Sequence, residues 1–81
     1  MTLTVLYFAS LRERTGTPRE TVDVDPASDL GSLWERLVAL HPALGEVVPR
    51  PMVACDRVYS TWDRCLEGVS EVALLPPVSG G

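Results

Sequence analysis

Apolar and polar positions alternate with a period of two from the first residues. Leu3, Val5 and Tyr7 fall on one side of an extended segment, and Leu6 and Phe8 on the other. The β-branched and aromatic content over Thr2 to Phe8 predicts a strand, and a strand apolar on both sides belongs inside a sheet. Ala9 to Thr15 has room for about two helical turns, stopped by Gly16 in the C-cap position, with Thr17-Pro18 continuing the break. Alternation resumes over Glu20 to Val24, with Val22 and Val24 on one side. This is a second strand, paired with the first as a hairpin with a long connection.

After the Asp25-Pro26-Ala27 turn the period changes to that of a helix. Leu30, Leu33, Trp34, Leu37, Val38 and Leu40 make one amphipathic stripe. Ser28 or Asp29 can cap its start by accepting from an unpaired backbone N–H. Pro42 ends it, because proline cannot donate to the ladder and restricts His41 before it. Gly31 weakens the first turn without breaking the stripe. Pro49-Arg50-Pro51 is a stiff lead into Met52-Val53-Ala54-Cys55. Asp56-Arg57 reads as a turn, and Val58-Tyr59-Ser60 returns, giving a second hairpin. Trp62 and Leu66 sit in an irregular stretch that still has apolar area to bury. Glu71 to Leu75 is the last strand, terminated by Pro76-Pro77. One mixed sheet of about five strands with one main helix packed across it is the simplest way to bury these faces, an α+β fold of the β-grasp, ubiquitin-like kind. The expected division is a domain over 1–75 and an extended tail over 76–81.

Composition narrows the function classes. The 81 residues suffice for one small domain, 46% of them hydrophobic and 22% charged, which argues against disorder. Net charge is −4, and the seven cations (Arg12, Arg14, Arg19, Arg36, Arg50, Arg57 and Arg64) are all arginine and scattered. Without a basic stripe there is little to hold a nucleic acid, and an acidic domain suits a partner with a basic surface. Cys55 and Cys65, ten residues apart, lack the close pairing of a zinc or redox motif and read as reduced, buried thiols. The apolar opening is too short to span a membrane and has neither a basic flank nor a cleavage site, so the expectation is a soluble cytoplasmic protein.

The body offers little chemistry. Its one histidine, His41, lies at a helix end, where a surface or capping role outweighs general-base work. No nucleophile motif, phosphate-binding glycine pattern or metal-ligand spacing is present. Trp34 belongs to the helix stripe; Trp62 is open between core and partner surface. What remains is the end of the chain, Pro76-Pro77-Val78-Ser79-Gly80-Gly81. Its six residues reach up to about 20 Å when stretched. The prolines stiffen the base, and two residues without Cβ let the backbone into a narrow slot, carrying a carboxylate at Gly81. A frayed terminus is the plain alternative, and about one random chain in 200 ends in two glycines. The strand order, with the last strand running straight into the tail, strengthens the functional reading.

With Glu71-Val72-Ala73-Leu74-Leu75-Pro76-Pro77-Val78-Ser79-Gly80-Gly81, the opening Leu6-Tyr7-Phe8-Ala9-Ser10-Leu11-Arg12-Glu13 and Leu40-His41-Pro42-Ala43-Leu44, the sequence resembles over its whole length the small, sulfur-carrier subunit of molybdopterin synthase. It departs from that family's pattern at Asp56, where an Asn is frequent, and at Gly68-Val69-Ser70, where an Asp-Gly-Asp turn is usual. The resemblance implies that a ubiquitin-activating-type adenylyltransferase uses ATP to adenylate Gly81, and that a persulfide donor converts it to a thiocarboxylate. The tail (Pro76, Pro77, Val78, Ser79 and Gly80) would then enter the large synthase subunit, where the sulfur attacks cyclic pyranopterin monophosphate. It further implies two small and two large subunits, and no cofactor or metal bound by this chain. Phe8, Tyr59 and Leu75 match the family's docking positions, with core packing the alternative for each. Arg12 could pair with partner acids or remain solvated. Carriers for thiamine or tRNA thiolation, or for attachment to protein lysine, share the fold and the Gly-Gly end. A non-catalytic ubiquitin-like binding module is the remaining reading.

Overall fold

The computed structural model describes residues 1–77. Strand β1 (Thr2–Tyr7) leads into a short helix α1 (Ser10–Thr15), strand β2 (Arg19–Asp23), the main helix α2 (Leu30–Leu40), a 3-10 turn over Pro42–Glu46, and strands β3 (Met52–Cys55), β4 (Val58–Ser60) and β5 (Glu71–Leu75). The five strands form one mixed sheet in the order β2-β1-β5-β3-β4. β1 and β5 are parallel neighbours, registered from Thr4 opposite Glu71 to Tyr7 opposite Leu74. The other pairs are antiparallel.

The alternation explains which side of the sheet is buried. Leu3, Val5 and Tyr7 from β1, Val22 from β2, Val53 and Cys55 from β3, and Val72 and Leu74 from β5 all turn toward α2. Leu30, Leu33, Trp34 and Leu37 meet them, four buried residues at the spacing of a helix face. Leu40, expected on the same stripe, is 53% exposed. It is the last residue of α2, and the core ends one turn earlier at Leu37. Leu11, Leu44, Leu66 and Val69 from the connections close the ends of the core.

Local signals set the boundaries. Asp29 rather than Ser28 caps α2, its carboxylate accepting from the Ser32 N–H at 2.9 Å. That bond holds the Asp29 carboxyl below its usual range. The next N–H groups, from Leu30 and Gly31, donate to the carbonyls of Arg64 and Trp62. The irregular stretch therefore also serves as part of the helix cap, which the sequence pattern does not reveal. Trp62 packs edge-on to Trp34 with centroids 5.6 Å apart, and Arg50 lies over its ring. Trp62 thus leans on the core. Gly16 ends α1 at φ 77°, as its C-cap position predicts. Pro42 does end α2, but the chain continues into the 3-10 turn, which places Leu44 in the core.

Leu37 lies at the centre of this packing with no exposed surface. Leu37→Ala should cost about 2–5 kcal/mol, a large part of the roughly 4–12 kcal/mol a domain of this length holds. A urea titration followed by tryptophan fluorescence will show the shift in midpoint.

Candidate functional site

Among the described residues no helix crosses the side of the sheet away from α2. The register brings Leu6, Ala73, Ala54 and Tyr59 into one row running from β1 through β5 and β3 to β4. In the next row Leu75 sits opposite Met52. Phe8, one step past the Tyr7–Leu74 pair, donates its N–H to the Leu74 carbonyl and turns outward after buried Tyr7. Phe8 is 45% and Tyr59 66% exposed, and Leu75 is half-buried. The three docking candidates thus lie on one apolar face, and Phe8 and Tyr59 are not core residues. Leu6, Met52, Ala54 and Ala73 complete that face. The outward half of each strand's alternation already contained them, but only the strand order shows that they are neighbours.

The chain leaves this face where β5 ends. Pro76 and Pro77 follow directly and are half-buried. Val78, Ser79, Gly80 and Gly81 lie outside the described residues. Because β5 has a neighbour on both sides, the base of the tail is anchored by two ladders.

Two polar clusters fix the sheet, one at each end. The Asp56 carboxylate accepts from the N–H groups of Ser70 and Glu71 at 3.0–3.3 Å, while the Asp56 N–H donates to the Glu71 carbonyl. The β3–β4 turn, with Asp56 and Arg57 both at positive φ, is thereby tied to the start of β5. On the helix side Tyr7 and His41 share one partner. The Tyr7 hydroxyl donates to Glu20 Oε2 at 2.6 Å, and His41 Nε2 is also 2.6 Å from that oxygen. The Tyr7 and His41 rings meet edge-on at 5.9 Å. His41 is therefore a partly buried link between the end of α2 and β2, a role its position before proline does not disclose. Burial chiefly, and then the bond to and charge of Glu20, push the Tyr7 phenol far above its ordinary value.

Arg12 is exposed on α1. Of the two thiols, Cys55 is buried, and its pKa is raised chiefly by that burial. Cys65 is exposed, contrary to the expectation of burial, because it sits in the loop bridged to Asp29 at the rim of the sheet rather than on an inward strand position. Its Sγ–H donates to the Pro26 carbonyl at 3.1 Å. No helix among the described residues is long and apolar enough to cross a membrane.

This arrangement is the ubiquitin fold. The backbone matches a Caldiarchaeum subterraneum ubiquitin with a TM-score of 0.66 at 16% identity over 100% of this chain and 98% of that one, a likeness of fold. Small archaeal modifier protein 1 from Haloferax volcanii superimposes with a TM-score of 0.82, at 31% identity over all of both chains. The chain is also 35% identical, over the full length of both, to the molybdopterin synthase sulfur carrier subunit of Chlamydomonas reinhardtii. The ThiS family model matches residues 5–81, and the chain belongs to that family.

The Tyr7–Glu20 bond carries a pH signature. The folded phenol resists ionisation, so its contribution to stability is complete below the ordinary value of 10.0 and is lost as pH rises above it, where only the unfolded chain's phenol ionises. Tyr7→Phe should lower the urea midpoint at neutral pH. It should also flatten the decline between about pH 9 and about pH 11 relative to the parent protein.

Proposed function

We propose that this protein is a sulfur carrier for molybdopterin synthase, with the Gly81 carboxylate as its reactive group. The observation that carries the reading is the continuity of the family match through the central strand β5 and the tail to Gly81. A related chain matched over the full length of both, named a molybdopterin synthase sulfur carrier subunit, supports the assignment of pathway. Its designation as a subunit supports assembly with a larger synthase chain.

The chemistry follows from the properties of a carboxylate. Its acyl carbon is unreactive because displacement would expel oxide. A ubiquitin-activating-type adenylyltransferase joins Gly81 to the α-phosphate of ATP and releases pyrophosphate, making AMP the leaving group. A persulfide donor then displaces AMP, and a thiol attacks the resulting acyl disulfide, taking the donor sulfur into a new disulfide and leaving a thiocarboxylate, an anionic sulfur nucleophile at neutral pH. Inside the larger subunit that sulfur attacks cyclic pyranopterin monophosphate, and two such transfers supply the two sulfurs of the dithiolene. Water cleaves the acyl–sulfur bond after each transfer, leaving the sulfur on the pterin and releasing the carrier as the carboxylate. Gly80 lets the backbone pass a narrow channel without a Cβ. Phe8, Tyr59 and Leu75, with the face they share, dock the folded body while the tail is inserted. The net charge of −4 suits the basic surroundings that a phosphorylated pterin needs in the partner.

The likeness to small archaeal modifier protein 1 favours one other acceptor, an amine on another protein, reached from the same activated Gly81.

Intact-mass measurement tests the carrier reading. After incubation with ATP, a persulfide donor and the adenylyltransferase, one oxygen at Gly81 should be replaced by sulfur, and an unchanged mass refutes it. The loaded carrier should then convert the pterin precursor with the larger subunit, whereas transfer only to protein amines would select the modifier reading. The docking face has a separate readout. Tyr59→Ala should weaken binding to the larger subunit by about tenfold to a hundredfold. Its effect on folding stability should stay within about 0.5 kcal/mol, because the side chain is mostly exposed. Calorimetric titration and urea unfolding measure the two quantities.

A further inference from the structure

The two edges of the sheet differ in how their outward backbone groups are occupied. The backbone bonds from Tyr7 to Pro18 and between Met1 and Val24 set the alternation of the β1–β2 ladder. Glu20 and Val22 therefore bond to β1, and Arg19, Thr21 and Asp23 turn their N–H and C=O groups outward. Two of those three carbonyls are taken. The Thr17 hydroxyl donates to that of Arg19 at 2.9 Å, and the Arg36 guanidinium donates to that of Asp23. Both side chains stand where a further strand would lie, which blunts this edge.

The β4 edge is open. The bond from the Asp56 N–H to Glu71 makes Ala54 and Ala73 a bonded pair, so Val53 and Cys55 bond to β4 through Ser60 and Val58. Tyr59, opposite Ala54, turns both its N–H and its C=O away from the sheet, and neither has a partner among the described residues. The side chains agree. Tyr59 is 66% exposed on the docking face, while Val58, paired with inward Cys55, is 65% exposed on the helix side. A partner lying only on the outward face would leave Val58 in water. A strand added beside β4 covers both residues at once and supplies the missing acceptor and donor.

We infer that β4 is a strand-addition site whose occupant is an extended segment of the larger subunit, an inference that rests on the docking proposed above. Continuity favours that occupant. Tyr59 ends the row of Leu6, Ala73 and Ala54, so a chain held over that face is already beside the edge. A second copy fits less well. β4 has three residues and one outward pair, so two such edges would exchange two hydrogen bonds and bury far less than the roughly 1,000 Å² a stable interface needs. Each copy also carries a net charge of −4, which opposes self-association. In the complex the Tyr59 N–H donates to a carbonyl of the added segment, and the Tyr59 carbonyl accepts from one of its N–H groups.

Amide exchange measured residue by residue by NMR on the full chain tests the assignment. In the free carrier Tyr59 and Thr21 should both exchange freely, as outward groups on the two edges. With the larger subunit bound, Tyr59 should slow by about tenfold or more while Thr21 does not change. If the resonances of Leu6 and Ala73 do not move on mixing, the docking reading fails and this inference with it. If they move and Tyr59 exchange is unaltered, the inference is overturned and the docking stands. Protection of Tyr59 in the free carrier that rises with concentration would assign the edge to a second copy and would also overturn it. A pair of variants reads the hydrogen bond itself. Tyr59→Ala removes the side chain alone, whereas Tyr59→Pro also removes the outward N–H, which no bond within the sheet uses. Tyr59→Pro should bind the larger subunit about threefold to tenfold more weakly than Tyr59→Ala. Equal affinities for the two folded variants overturn the inference.

Discussion

The parallel pairing of β1 with β5 is the constraint on which the rest of the molecule depends. It joins the first and last strands of the domain at the middle of the sheet. Neither strand can be completed without the other, so the tail is presented only by a folded body. Central strands buried on one face are also the hardest to open locally, because an opening must break two ladders and expose core side chains. The base of the tail therefore stands on one of the most firmly held elements, although the residues beyond it are few and simple.

That arrangement separates the two faces of the sheet by role. The inward row, Leu3, Val5, Tyr7, Val72 and Leu74, is closed by α2 and is the source of stability. The outward row carries exposed Phe8 and Tyr59 and half-buried Leu75 next to the exit of the chain. The docking proposed above uses the adjacency of this apolar face to the exit of the chain. The polar ties lie behind it and at the far end of the sheet. Asp56 fastens the β3–β4 turn to β5, and Glu20 joins Tyr7 to His41.

Many of these features were legible along the chain. Period-two alternation located β1, β2, β3 and β5 to within a residue or so at each end, because one face of each had to be buried, and the Asp56-Arg57 turn located β4. The 3.6-residue stripe located α2, with Leu40 as its one error. The sequence pattern does not show that Trp62 and Arg64 carbonyls finish the cap of α2, that His41 binds Glu20, or that Cys65 is exposed. Each of these is set by a residue far away in sequence, and no local period encodes such a partner.

For the candidate site the division is similar. The Gly80-Gly81 end and the stiff Pro76-Pro77 base are properties of the chain itself, since they depend on bonding and residue type alone. Only the tertiary structure decided that Phe8, Leu75 and Tyr59 come together, because they belong to strands brought side by side by the order β2-β1-β5-β3-β4. It also decided that Met1 lies at the far end of the sheet from Pro76. The direction of β5 relative to β1 is a matter of long-range pairing, and the linear pattern of either strand is the same whichever way the other runs.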